Sequence, residues 1–241
     1  RNWFNGFSDK SVAVVGISGG KDSSVTAALL KEALGADRVI GVMMPNGNQA
    51  DIEDSKHLCE LLGIRHTTVN IQDYYNAAIN TFSSNEDGII KVTDPLKINL
   101  APRLRMATLY AVAQAQDVPA FVVNTCNRSE DYVGYSTKFG DAAGDISVLQ
   151  DFLVTEVRAI GDELGLPREL VHKAPSDGLC GKTDEDNLGF SYADLDKYIL
   201  WKDENSSDKE CPISKELVDI IEKKHSANLH KLELMPSFLR K

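Results

Sequence analysis

The stretch from Ser11 to Leu30 constrains the fold more than any other part of the chain. The apolar run Ser11-Val-Ala-Val-Val15 leads directly into Gly16-Ile-Ser-Gly-Gly-Lys-Asp-Ser-Ser24, and that into Val25-Thr-Ala-Ala-Leu-Leu30. A buried strand, a glycine turn and a helix start in immediate succession specify a strand–helix junction of a parallel α/β sheet. Gly19 and Gly20 let the backbone turn tightly and bring its N–H groups close to an anion, and the helix start adds positive dipole. The segment is not a Walker A loop. Gly16 and Gly20 are one residue too close, and Lys21 is followed by Asp22 rather than Ser or Thr. A carboxylate in a phosphate cradle repels its ligand unless a divalent cation stands between them. Asp22 is therefore a candidate Mg2+ ligand, with a helix N-cap as the plainer alternative. Ser18, Ser23 and Ser24 are candidate hydroxyl donors to phosphate oxygens, or caps.

The rest of the chain continues the alternation. Strands are expected at Val12–Ile17, Val39–Met44, His66–Ile71 and Ala120–Asn124. Ser23–Leu34 and Ala50–Leu62 show apolar residues at helical spacing, with Gly35 and Gly63 as stops, and Leu96–Asp117 reads as a long helix with Pro102 near its start. Repeated βαβ units imply an α/β fold, a Rossmann-like doubly wound parallel sheet covered on both faces, in one domain spanning 1–241. Ligands of such sheets sit at the carboxyl ends of the strands. The glycine loop lies at one such end and Asn124-Thr125-Cys126 at another. Pro175–Thr183 and Asp203–Glu210 read as loops, and few helix signals remain beyond Ile213–Lys224, so 225–241 reads as a polar tail.

Composition narrows the partners. Of 241 residues, 26 are basic and 36 acidic, a net charge of −10. This argues against nucleic acid, whose phosphate backbone is held mainly by Lys and Arg, but not against a small phosphorylated substrate gripped by local cations. No apolar run approaches the roughly twenty residues of a membrane span, and no secretory signal is visible. Cys59, Cys126, Cys180 and Cys211 are dispersed with no Cys-x-x-Cys pair, as expected of reduced thiols in the cytoplasm. The chain starts at Arg1, and Trp3, Phe4 and Phe7 look like the end of an apolar helix face, so the native N-terminus is expected upstream.

Further chemistry-bearing residues cluster after the strands. Glu130 follows the fourth strand and could supply a second carboxylate to a polyphosphate-bound Mg2+; a solvated surface acid is the plainer reading. Arg103 and Arg105 carry the planar fork that matches carboxylate or phosphate, or are surface charge. Lys138, Asp141 and Asp145 lie in a loop too rich in glycine and charge for a core, and its acids do not have the spacing of an EF-hand.

Ser18-Gly-Gly-Lys-Asp-Ser23 resembles the PP-loop of the ATP pyrophosphatases, which cut ATP between its α and β phosphates. Several further blocks make the chain similar to ammonia-dependent NAD synthetases, from Val12 to about Pro236. They are Arg103-Leu-Arg-Met106, Asn127-Arg-Ser-Glu130, Gly134-Tyr-Ser-Thr-Lys-Phe-Gly-Asp141, Lys173-Ala-Pro-Ser176, Thr183-Asp-Glu-Asp186, Leu188-Gly-Phe-Ser-Tyr192 and His230-Lys231. The resemblance implies that Gly16, Ile17, Ser18, Gly19, Gly20, Lys21, Asp22 and Ser23 hold the ATP phosphates, with Thr125 and Ser176 contacting ATP elsewhere. It implies Mg2+ on Asp22 and Glu130, and deamido-NAD on Arg103, Lys138 and Asp145 with Asp141 and Arg105 as neighbours. The resemblance also implies that His230 and Lys231 close over that substrate from the tail, and that the chain assembles as a homodimer. The chain departs from the family where a lysine that contacts ATP is usual: here Val154 stands, followed by Thr155, which is kept as the candidate ATP contact.

The activity implied is a two-step ligase. The nicotinate carboxylate of deamido-NAD is adenylated by ATP with release of pyrophosphate, and ammonia then displaces AMP to give NAD. No protein nucleophile is required. Two rivals are another PP-loop adenylating enzyme, GMP synthetase-like or tRNA-modifying, and a nucleotide-binding module without catalysis.

Overall fold

The computed structural model describes residues 1–49, 52–173, 183–204 and 210–238. In chain order its elements are α1 (Asn2–Asn5), β1 (Val12–Gly16), α2 (Lys21–Leu34), a 3₁₀ turn, β2 (Val39–Met43), α3 (Ile52–Leu62), β3 (Arg65–Thr68) and α4 (Gln72–Ser83). They continue with α5 (Asp94–Gln114), β4 (Ala120–Asn124), α6 (Arg128–Val133), β5 (Ile146–Ser147), α7 (Val154–Glu163), α8 (Arg168–Val171), α9 (Asp184–Leu188), α10 (Tyr192–Asp203) and α11 (Lys215–Leu232).

The five strands form one parallel sheet in the order β3-β2-β1-β4-β5. Val14 lies opposite Ile40 on one side and Val122 on the other. All of β2 is buried, the near-continuous apolar pattern of a strand covered on both faces. Side chains of β1 alternate between two cores, as the two-residue period of a strand requires. Ala13 and Val15 pack with Val25, Ala28, Val157 and Val171 from α2, α7 and α8, while Val12 and Val14 pack with Ala113 and Leu109 of α5. A third cluster, centred on Tyr192, Leu195, Ile199 and Ile221, joins α10 and α11 to Val133 and Val154. The sheet is thus doubly wound, as the sequence implied. The order in which strands are laid down reverses between β1 and β4, which opens the crevice of such sheets just beyond their carboxyl ends.

Several boundaries differ from the sequence reading. α5 starts at Asp94, where the Thr93 hydroxyl accepts from the Leu96 amide, and continues through Pro102. β5, two residues long, and α4, which buries none of its residues, were not anticipated from the sequence. α11 reaches Leu232, so half of the expected tail is helix. The expected 203–210 loop is described only at its two ends.

Candidate functional site

The glycine loop is held open by its own hydroxyls. Gly16 ends β1, and the Ile17 amide donates to the Val42 carbonyl at 2.9 Å while its side chain enters the core, so Ile17 offers only main chain to a ligand. Gly19 has φ 78°, a backbone state that L side chains adopt only under strain. Gly20, extended at φ −94°, stands at the N-cap of α2. Its carbonyl accepts from Ser23 Oγ at 3.0 Å and Ser24 Oγ at 2.8 Å. Ser23 Oγ also accepts from the Ser18 amide at 3.3 Å, and Ser18 Oγ from the Gly20 amide at 3.3 Å. Ser23 and Ser24 are buried whereas Ser18 is exposed, which leaves Ser18 the hydroxyl nearest solvent. A 14-residue helix begins at this point, so loop amides and helix dipole coincide.

Charge concentrates beside the loop. Lys21, only 4% exposed, places Nζ 2.7 Å from Asp22 Oδ2 and 3.5 Å from Glu130 Oε1, and 5.5 Å from the centre of the Tyr192 ring. Burial alone would push the Lys21 ammonium towards neutrality, but the charges of Asp22 and Glu130 outweigh it and hold its pKa above the usual lysine value. Burial, then the charge of Asp22, raises the Glu130 carboxyl to about 8 against the pull of Lys21. Asn127 ties the two strand ends together. Its side-chain amide donates to Asp22 Oδ1 at 2.9 Å, and its Oδ1 accepts from the Glu130 amide at 3.0 Å as the N-cap of α6. Sequence reading missed Asn127, although Asn three residues before Glu at a strand end is a capping signature.

This donor set fits Mg2+. Two carboxylates converge on one ammonium, and the charged form of Glu130, disfavoured by burial and then by Asp22, is what a divalent cation would stabilise. Among the described residues no three His, Cys, Asp or Glu side chains form a ready-made metal cage. Mg2+ commonly takes one or two carboxylates and completes its shell with phosphate oxygens and water.

Thr125 follows β4 directly and faces the same crevice end. Val154 is fully buried in the third cluster, its amide donating to Ser129 Oγ at 3.0 Å. The exposed Thr155 donates its amide to the buried Asp196 at 2.9 Å, and Asp196 in turn accepts from the Ser129 hydroxyl. Ser176 lies outside the described residues.

The proposed substrate residues gather in a second, more exposed group. Arg103 Nε donates to the Lys138 carbonyl at 3.4 Å, and Lys138 Nζ donates to the His230 carbonyl. Lys231 Nζ donates to the carbonyls of Gly134 at 2.8 Å and Ser136 at 3.1 Å, and His230 Nδ1 to that of Ala227 at 3.1 Å. The end of α11 therefore docks on the 134–138 segment. At Gly134, φ 60°, a Cβ would come within 2.3 Å of the Asn228 side chain, so that contact requires glycine. Phe139 is the one described non-glycine residue with positive φ, 59°, a strained state that often marks binding loops. The Asp141 carboxylate accepts from the Thr137 amide at 2.9 Å, and Asp145 from the Val122 amide at 2.7 Å and the Tyr110 hydroxyl at 3.4 Å. Arg105 stands apart from its neighbour: half-buried, it donates Nε to the Met44 carbonyl at 3.0 Å, and burial lowers its pKa.

The chain matches a family model described as NAD synthase over residues 5–235. It is 40% identical over 228 residues to an NH(3)-dependent NAD(+) synthetase of Finegoldia magna, covering 94% of this chain and 87% of the relative. It is 39% identical over 234 residues to one of Methanocaldococcus jannaschii, covering 93% and 87%. Among solved structures it is similar to an NMN synthetase of Francisella tularensis, with TM-score 0.83, 33% identity and coverage of 98% and 94%. An NH3-dependent NAD synthetase of Campylobacter jejuni superposes with TM-score 0.78 at 27% identity, covering 95% and 90%.

Proposed function

This chain belongs to the NAD synthase family, and from that premise we propose that it is a ligase converting deamido-NAD, ATP and ammonia to NAD, AMP and pyrophosphate. The observation that carries the reading is the meeting of Lys21, Asp22 and Glu130 beside a hydroxyl-braced glycine loop at the sheet's switch point. The loop amides and Ser18 bind the triphosphate, and Lys21 balances its charge. The nicotinate carboxylate oxygen attacks the α-phosphorus and the bond to the bridging oxygen breaks, releasing pyrophosphate. Ammonia then attacks the acyl carbon, loses a proton to the medium, and AMP departs with the oxygen. Asp22 and Glu130 would hold Mg2+, which would neutralise the charge of the triphosphate and of the departing pyrophosphate. Arg103, Lys138, Asp145 and the end of α11 orient the dinucleotide, so that positioning and electrostatics supply the acceleration.

The enzyme acts as a homodimer. α4 buries no residue, α5 buries only Ala101, Thr108 and Ala113 along 21 residues, and Tyr74, Ile89 and Ile98 are exposed on this side. Such an apolar face suits a second copy of the chain. It works in the cytoplasm: Cys59, Cys126 and Cys211 are free thiols, as a reducing compartment keeps them. No helix among the described residues is long and apolar enough to cross a membrane.

The test is a reaction of purified protein with ATP, Mg2+, ammonium and deamido-NAD, read for NAD and AMP. ADP formation, or no NAD, rules the activity out. The likeness to the Francisella tularensis NMN synthetase favours a second reading, the same amidation of the mononucleotide acid to NMN. Running both acids in parallel decides between them through the ratio of their kcat/KM values.

A further inference from the structure

Tyr192 borders the charged cluster, and none of the chemistry above uses it. Ser191 caps α10, which makes Tyr192 the first residue of that helix. The side chain is 0% exposed and packs with Leu188, Leu195 and Val133, yet its hydroxyl has no hydrogen-bond partner among the described residues. A buried tyrosine hydroxyl ordinarily finds a partner, because a desolvated donor left alone is destabilising. The surroundings of this one are charged. Its ring supports the Lys21 ammonium at 5.5 Å, the same ammonium that Asp22 and Glu130 bind. The charges of Glu130, Asp184 and Asp22 also reach the phenol and, after burial, raise its pKa.

We propose that Tyr192 is a ligand-contacting residue of the polyphosphate site, its hydroxyl donating a hydrogen bond to a phosphate oxygen of bound ATP and of the pyrophosphate product. The proposal rests on the site being an ATP site. The ring places Lys21, and the hydroxyl supplies a neutral donor. When the carboxylates of Asp22 and Glu130 are engaged by a cation, a phosphate oxygen arriving beside Lys21 meets a phenol already stripped of water and without a competing acceptor. Hydrogen bonds to charged acceptors are the stronger kind, and this one forms without first breaking another.

Tyr192→Phe removes the oxygen and keeps the ring; Tyr192→Leu removes both. In Y192F the ligand-free melting temperature should equal or exceed that of the unaltered protein, since only an unpaired hydroxyl is lost. Affinity for Mg2+ with pyrophosphate should fall about tenfold or more, with a matching rise in the KM for ATP. AMP affinity and the KM for deamido-NAD should not move. Y192L should show the same ligand losses together with a lower melting temperature. A Y192F protein that binds pyrophosphate and uses ATP normally overturns the proposal. So does one that melts earlier with pyrophosphate affinity intact, because the hydroxyl then serves only the fold. Pyrophosphate binding lost in Y192F from a protein that makes no NAD would keep this contact and remove the activity proposed above.

Discussion

The two halves of the crevice are built differently. On the phosphate side, Lys21, Ser23, Ser24, Asn127 and Tyr192 are all buried; hydrogen bonds within the glycine loop hold the two serines, and Asn127 is tied to Asp22. On the dinucleotide side, Arg103, Asp145 and His230 are exposed, and long side chains rest on main-chain carbonyls: Arg103 on Lys138, Lys138 on His230, Lys231 on Gly134 and Ser136. The first half is assembled before any ligand arrives. The second is a set of cations parked on carbonyl groups, which a substrate with negative charges can recruit. On the proposed assignment, triphosphate chemistry is held on the buried elements, while recognition of the particular acid is left to the exposed ones.

The sharpest way to break this contrast is Asp22→Asn. Loss of one carboxylate from the buried half should lower kcat/KM by about 10²–10³-fold, the size typical of removing one preorganised electrostatic group. The melting temperature should stay within a few degrees, and near-normal turnover would take Asp22 out of the metal role. Next in size is a pH effect. In the metal-free protein Glu130 keeps its proton up to about 8, whereas in the unfolded chain it loses it near about 4.3. Between those values the folded state binds more protons, so stability falls as pH rises through that window. Mg2+ takes the deprotonated carboxylate, so its affinity should climb with pH, by up to about tenfold per unit, and level off above the Glu130 value. A flat Mg2+ or Mn2+ affinity from about pH 6 to pH 9, measured by calorimetry, would contradict that assignment.

Changes on the other half should be smaller and confined to one substrate. Lys231→Ala should raise the KM for deamido-NAD about tenfold and leave that for ATP unchanged, as measured by steady-state kinetics with each substrate varied. If the ATP parameter moved instead, the division between halves would be wrong. Least of all, Asn127→Ala should cost about 1 kcal/mol of stability through the lost cap, visible as a melting temperature lower by a few degrees. It should also weaken ATP modestly, because the bond to Asp22 goes with it.

What was legible in the sequence follows the same divide. The glycine loop and the strand ends announced themselves because local pattern fixes them: an apolar run, a turn needing positive φ at Gly19, and a helix start. Asp22 and Lys21 are neighbours in sequence, so their pairing needs no tertiary information. Glu130 meets them only because β4 lies beside β1, and no local pattern foretells that. Arg103 and Arg105 looked equivalent, but only packing against the end of β2 separates the one held on Met44 from the exposed one that rests on the Lys138 carbonyl. The end of α11 was invisible for a related reason: residues 225–232 are polar, and their helix is secured by Asn228 on the Val133 carbonyl and Lys231 on two others. Tyr192 reads in sequence as any core aromatic, since nothing local reveals that its hydroxyl is left unpaired.

Val154 sets a limit on how this lineage can drift. Its side chain plugs an apolar cluster, and its amide is spoken for by Ser129. A lysine at this position would thrust an ammonium into hydrocarbon, where the charged form is strongly disfavoured. Admitting a lysine here would therefore need companion changes in α10 or α11 first.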